Sequence, residues 1–420
     1  MSWATILLIF ALLPLSAYSL EVFQVSGVRT FVSPDSSYDE LKSLIETAKT
    51  AVYINTYTIT NPEVAELLEK AETRGIEVIL MLDGMPVGGV PEDEVMIADR
   101  LIKAGAVVCF HSSEKIRYNH AKYIIVDNYS TVITTENLGR AGFPRENHHG
   151  SRGWGVVILD DKFSEALASV FFSDLRDCRP KGLPEGHRKD RDIGRHYQSR
   201  YPPKEYIGSY KVELFIAPEE GISPILRLLE SSNASISVEQ AYIYEHWGSK
   251  RKDTPETAPN LFLEAIIDAA RRGVKVRILL DSYWYNVLEN DPVSNIKTLE
   301  YVNAVSREEG LDLEARLADL KALGLQKLHT KGVIVDGDVV LISSINWNEH
   351  SPTKNREIGV IVYGEPAQYF TEVFECDWDP SECIWDTSSR WVYLMGVLAL
   401  IVGIMMLKGR FKCAFCCGNS

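Results

Sequence analysis

Leu328–Asn346 reads LHTKGVIVDGDVVLISSIN, and an earlier stretch, Asn119–Asn137, reads NHAKYIIVDNYSTVITTEN. Apolar residues alternate through the later stretch, which predicts half-buried β-structure. In a strand, residues two apart share a face, so His329 and Lys331 project together while Thr330 points away. His120 and Lys122 stand in the same relation. A core strand gains nothing from a titratable imidazole beside an ammonium, whereas an anion-binding surface uses both.

The pairing extends outward. VRTFVSP (Val28 to Pro34) returns as VELFIAP (Val212 to Pro218), and RGIEVILMLD (Arg74 to Asp83) returns as RGVKVRILLD (Arg272 to Asp281). After each histidine stretch comes an apolar strand, GWGVVILD from Gly153 and EIGVIVYG from Glu357, then a short helix ending VFFSDL or VFECDW. An order kept this consistently means two divergent copies of one unit. Within each copy, helical periodicity alternates with strands. Tyr38–Ala48 and Pro62–Thr73 are helices and AVYINTYTI and IEVILMLD strands; Ser223–Ser231, SISVEQAYI, Leu261–Arg272 and VKVRILLD repeat the scheme. The expected class is α/β, a central sheet with helices on its faces.

Each histidine stretch carries the same set: His120, Lys122, Asp127 and Asn137 in one, His329, Lys331, Asp336 and Asn346 in the other. Thr134-Thr135 and Ser343-Ser344 precede the asparagines. If the halves face each other across a pseudo-twofold, two imidazoles, two ammonium groups and two carboxamides meet in one cleft. That is a cage for a tetrahedral anion. With phosphate as the anion, one histidine attacks phosphorus while the other protonates the leaving oxygen and later deprotonates the incoming water or alcohol. Lysines and asparagines hold the non-bridging oxygens where charge develops. No metal or other cofactor is required by this scheme. Asp127 and Asp336 are expected to be structural, accepting turn N–H groups.

These residues resemble the His-x-Lys-x4-Asp-x6-Gly-Ser-x-Asn motif of the phospholipase D superfamily, in its two-copy type. The resemblance implies two homologous α-β-α sandwich units related by a pseudo-twofold. It implies that His120 is the nucleophile and His329 the general acid, and that Thr135 and Ser344 contact substrate. It also implies that Glu357, eleven residues beyond Asn346, orients a histidine. The position matching Glu357 in the first copy is Gly153, which leaves one imidazole without an identified carboxylate; Glu146 is a loop candidate. Arg140, Arg145, Arg152, Lys354 and Arg356 either reach phosphate or remain solvated. His148 and His149 read as loop residues, and the aromatic Tyr283–Tyr285 run as a packed core rim.

The 420 residues carry a formal net charge of −14, which counts against a general polyanion-coating protein without excluding a local basic site. Residues 1–19 read as a signal peptide, 20–178 and 207–386 as the two phospholipase D-like domains, and 179–206 as a basic, solvated linker. Trp391–Leu407 is uncharged and reads as a transmembrane helix, with Lys408, Arg410 and Lys412 starting a cytoplasmic tail, 408–420. The expectation is a monomer, a single-pass protein of the cell membrane with its catalytic part outside. Cys109, Cys178, Cys376 and Cys383 then lie where disulfides persist, without a pairing fixed by their spacing, and Cys413, Cys416 and Cys417 lie inside. Phospholipid is the leading substrate class, with hydrolysis and phosphatidyl transfer both open. An extracellular nuclease of the same superfamily and a non-catalytic binding ectodomain are the alternatives.

Overall fold

The computed structural model describes residues 20–145, 148–178, 183–186 and 196–383. Within them the repeat is visible element by element. The first half runs β1 (Glu21–Ser33), α1 (Ser37–Thr47), β2 (Ala51–Asn55), α2 (Pro62–Thr73), β3 (Glu77–Asp83), α3 (Glu92–Ala104), β4 (Val107–His111), β5 (Tyr123–Val126), β6 (Ser130–Thr134), β7 (Gly153–Leu159) and α4 (Asp161–Leu175). The second runs β8 (Lys204–Ala217), α5 (Ser223–Glu230), β9 (Ser235–Gln240), α6 (Leu261–Arg271), β10 (Lys275–Leu280), α7 (Asn295–Glu309), β11 (Leu313–Leu317), α8 (Leu320–Leu323), β12 (Lys331–Val335), β13 (Val339–Ser343), α9 (His350–Lys354), β14 (Glu357–Tyr363) and α10 (Pro366–Trp378).

These strands form one mixed sheet, in the order β11-β10-β9-β12-β13-β14-β8-β1-β7-β6-β5-β2-β3-β4. Read outward from the middle, both halves have the same order. They join where β1 and β8 pair antiparallel, from Glu21↔Leu214 to Thr30↔Lys204. Antiparallel pairing of like strands is the relation a twofold axis produces. Side-chain alternation sends each strand's residues into two layers. Val52 and Ile54 of β2 enter a core shared with α1, α2 and α3, whereas Tyr53 between them stacks on Phe171 of α4 at 5.6 Å. Helices therefore cover both faces.

That coverage changes the reading of Leu328–Asn346. It forms two strands, β12 and β13, and both are buried on both faces rather than half-buried. The turn between them places Asp336 and Gly337 at positive φ, 52° and 75°. The Asp336 carboxylate accepts the backbone N–H groups of Asn233, Ala234 and Ser235 at 2.9, 2.7 and 2.8 Å. Asp127, at φ 56°, does the same for Lys49, Thr50 and Ala51. Both motif aspartates tie their hairpin to the start of a neighbouring strand, and neither lines the cavity that His120 and His329 share.

Two arginines stitch the halves together. Arg152 is fully buried and pairs with Asp35 of its own half and Asp377 of the other, at 2.5 and 2.7 Å. Arg356 pairs with Asp174 and Glu219 at 2.9 and 2.6 Å. Neither is the solvated or phosphate-reaching cation that its place after the motif suggested. Both sit in the residue just before the strand that follows each motif, where the chain turns inward.

The stretch expected as a solvated linker is partly built into the fold. Tyr197 and Tyr201 are buried, and the N–H groups of Arg200 and Tyr201 donate to Asp35 Oδ1 at 2.6 and 3.2 Å. Strand β8 already begins at Lys204, inside the expected linker. A disulfide joins Cys109 of β4 to Cys178, just past α4, with Cα atoms 5.9 Å apart. The expected leader at 1–19, the apolar span at 391–407, the tail and Glu146 lie outside the described residues. Among the described residues no helix is long and apolar enough to cross a membrane.

Candidate active site

His120 and His329, from opposite halves, line one cavity of about 540 Å³ together with Asn137 and Asn346. The chain holds each histidine twice. Asp83, at the end of β3, accepts the N–H of Asn119, and Asp281, just past β10, accepts the N–H of Leu328 at 2.7 Å. These aspartates close the RGIEVILMLD and RGVKVRILLD repeats and fix the residue before each histidine. The histidine N–H groups then cross to the other half: His120 donates to the Arg356 carbonyl at 2.8 Å and His329 to the Arg152 carbonyl at 2.7 Å.

The side chains cross over as well. His120 Nδ1 lies 2.8 Å from Glu357 Oε2, and His329 Nδ1 lies 3.1 Å from Glu136 Oε2. A carboxylate on Nδ1 fixes the tautomer with the proton there and leaves the Nε2 lone pair available. Glu357 is further held by Ser351 Oγ and Asn355 Nδ2, which donate to its Oε1 at 2.6 and 3.0 Å. Ser151 Oγ donates to Glu136 Oε1 at 2.7 Å. Glu136 stands in the TTEN run, at the variable position of the motif, so a motif search passes over it. Gly153 in place of a second glutamate was the available signal that the carboxylate had to come from elsewhere.

Lys122 and Lys331 are buried, and the Nζ of each donates to the carbonyl of the histidine two residues before it. Burial pushes Lys122 down to about 7, against the pull of Glu357 and Glu136. Burial, with Lys122 beside it, takes Lys331 well below the ordinary lysine range. Burial likewise lowers His120, and it lowers His329 further because Lys331, Lys327 and Lys122 add to it. Against the upward push of burial, His120 and Lys122 hold the Glu357 carboxyl below its ordinary value. Burial wins at Glu136, whose carboxyl is raised. Lysines and imidazoles depressed by burial and by one another are drawn back towards their protonated forms when an anion enters among them.

Some expected residues do other work. Thr135 Oγ1 accepts the N–H of Trp154 at 3.0 Å and Ser344 Oγ that of Ile358 at 2.9 Å. Both hydroxyls brace the strand after their motif, and neither lines the cavity. The Tyr283–Tyr285 run is not a packed rim, since Trp284 is 64% exposed and Tyr285 lines the cavity. Sequence reading also missed the wall formed by Tyr57, Tyr118, Tyr242, Tyr244 and Trp247. Much of that wall comes from residues 241–260, an excursion between β9 and α6 that is far longer than residues 56–61 between β2 and α2. Lys250 in this excursion lies 4.6 Å from the Tyr244 ring centroid. Among the described residues no three His, Cys, Asp or Glu side chains are grouped to hold a metal.

The family described as "Cardiolipin synthase, PLD-like domain" matches twice, at residues 41–175 and 225–378, one match per half. The chain belongs to the phospholipase D superfamily. Among its relatives, the 5'-3' exonuclease PLD3 of Xenopus tropicalis is 28% identical over 36% of this chain and 29% of its own length. The chain thus spans under a third of that relative. A cardiolipin synthase of Listeria welshimeri is 20% identical over 81% of this chain and 66% of its own length. The crystal structure of a phosphatidylserine synthase from Haemophilus influenzae superposes with a TM-score of 0.54 at 13% identity, covering 86% of each chain. At that identity the likeness concerns the fold alone. This phospholipase D-like chain thus carries one copy of the family domain in each half of its sheet.

Proposed function

We propose that this phospholipase D-like protein cleaves or transfers phosphodiester bonds of phospholipids through a covalent phosphohistidine. The observation that carries the reading is the convergence of two histidines from opposite halves on one cavity, each with Nδ1 on a carboxylate. His120 Nε2 attacks phosphorus, and the bond from phosphorus to the leaving alcohol breaks. His329, protonated, gives its Nε2 proton to the leaving oxygen. Water or an alcohol then enters, His329 takes its proton, its oxygen attacks phosphorus and the P–N bond breaks. The substrate's own negative charge raises His329 from its depressed state towards that of an acid. Lys122, Lys331, Asn137 and Asn346 stabilise the non-bridging oxygens, so that no metal is needed.

A lipid substrate fits the cavity mouth. Val87 and Tyr285, from the loops after β3 and β10, line the cavity, and beside them Met85, Val87, Trp284 and Leu288 are 67%, 64%, 64% and 40% exposed. Apolar side chains displayed at the rim of a polar site suit contact with a bilayer interface. The likeness to cardiolipin synthases, over 81% and 85% of this chain, supports the same class. The second reading is a nuclease. The tyrosine and tryptophan wall beside Lys250 could stack single-stranded bases, and exonuclease relatives match part of the chain.

The full chain, with EDTA present, should release alcohol from vesicles of phosphatidylglycerol and leave single-stranded DNA intact. The phosphoenzyme should be lost in His120→Ala. DNA shortened while lipid persists would select the nuclease, and activity abolished by EDTA would remove the metal-free scheme. We extend the proposal to placement at the cell membrane, held by residues 391–407 with the site outside; survival of the domain during protease shaving of whole cells would refute it.

A further inference from the structure

The unmatched feature of the first half is Gly153, where the second half has Glu357. Each position opens the strand after its motif, β7 or β14, and each follows the arginine whose carbonyl receives the opposite histidine's N–H. A Cβ built at Gly153 would stand 2.4 Å from Glu136 Cγ and 2.7 Å from Glu136 Oε1. Glu136 therefore occupies the space a side chain at 153 would take. In the second half the residue corresponding to Glu136 is Ile345, which is buried in the apolar core. One half has glutamate then glycine, and the other has isoleucine then glutamate. Both glutamates accept a serine hydroxyl on Oε1, from Ser151 or Ser351, and both present Oε2 to a histidine of the other half.

We infer that the histidine-orienting carboxylate of the first half has moved from position 153 to Glu136, and that Glu136 is the positioning residue for His329. The inference deepens the phosphohistidine reading and rests on it for its catalytic consequence, but its geometric content stands without it. Glycine at 153 gives Glu136 the room for this conformation, since a Cβ there would stand 2.4 Å from Glu136 Cγ. The two glutamates also create different settings. Glu357 keeps its charge against His120, whereas the burial-raised Glu136 faces a histidine that burial, three lysines (Lys331, Lys327 and Lys122) and His120 all push down. Acid and nucleophile roles are then separated by the environment of each pair, although the halves are copies.

The test uses the full chain labelled with ¹⁵N-histidine. In Glu136→Gln the Nδ1 and Nε2 resonances of His329 should shift, and those of His120 should stay. The same variant should lose roughly 10²-fold in kcat with KM little changed, and the pH profile of kcat should move. Glu136→Ile should lose at least as much. Adding Gly153→Glu to Glu136→Ile should recover tenfold or more, because the carboxylate returns to the place it holds in the second half. Thermal melting checks that each variant folds, and a folded relocation variant that gains nothing over Glu136→Ile would overturn the inference. So would unchanged His329 resonances in Glu136→Gln. If wild-type chain turns over no phosphodiester while the His329 resonances still respond, the proposed chemistry fails and the positioning role remains.

Discussion

Arg152 and Asp377 come from opposite halves of the chain and meet in the fully buried interior, Nε to Oδ2 at 2.7 Å and a terminal guanidinium nitrogen to Oδ1 at 3.2 Å. Arg152 also donates to Asp35 and to the Ser33 carbonyl, and its own carbonyl receives His329 N–H. One residue thus ties the inter-half junction to the histidine position. Removing one member of such a pair leaves an uncompensated buried charge. Arg152→Met should destabilise the fold by about 3–5 kcal/mol in denaturant titration. A loss below about 1 kcal/mol would show that the junction does not depend on this pair.

The lysine beside His120 gives a pH prediction. Lys122 titrates near 7 in the folded chain, against an ordinary value of 10.5, chiefly because it is buried. Its cation is present below that value and lost above it, so kcat/KM should fall as pH rises through about 7. Between about 7 and 10.5 the unfolded chain binds the proton that the folded chain has released. This group's contribution to stability therefore rises with pH across the same window. Lys122→Met should lower activity by roughly 10²-fold and remove the alkaline limb. A limb that persists in that variant belongs to another group.

Gly155 and Gly359 make room for the phenylalanines of the VRTFVSP and VELFIAP repeats. A Cβ at Gly155 would lie 2.1 Å from Phe31 Cζ, and one at Gly359 would lie 2.2 Å from Phe215 Cζ. Both rings are buried and cannot swing to solvent. Gly155→Ala should cost about 1–3 kcal/mol by overpacking. Phe31→Leu in the same chain should recover part of it, measured as melting temperature; no recovery would place the strain in the backbone instead.

The motif aspartates should affect stability rather than chemistry. Asp336→Ala removes a charged acceptor from three backbone N–H groups and should cost about 2 kcal/mol. Asp336→Asn keeps an acceptor and a residue tolerant of positive φ, and should cost about half as much. Although burial pushes the other way, the N–H groups of Ser235, Ala234 and Asn233 hold the folded carboxyl below its ordinary 3.8. The contribution is therefore full above that value and lost as pH falls through the folded value. A loss of turnover in a normally stable Asp336→Asn would contradict the structural role.

Much of this architecture is local information. The paired motifs, the two strand–helix repeats and the duplication are written in residue order, because hydrophobic period and turn chemistry act over a few residues. Helix α2, for instance, spans Pro62–Thr73 as its periodicity predicts, with Asn61 capping it through Glu63 and Val64 N–H. The excursion at 241–260 has no counterpart in the first half, and helices α3 and α7, although they match in place between β3 and β4 and between β10 and β11, lie outside the segments that repeat in residue order, so their role at the cavity and in the core was not legible.

What the sequence determined by itself was the inventory: two copies of one unit, two histidines, two lysines, two asparagines and one obvious glutamate. Which side chain serves which was decided only by the tertiary structure. A hydrogen bond between Glu136 and His329 joins residues far apart in the chain, and sequence spacing carries no information on such a contact. The same holds for Arg152 and Arg356. A cation just past a motif looks solvated or phosphate-bound on paper, and becomes a buried strut only where the second half packs against it and excludes water.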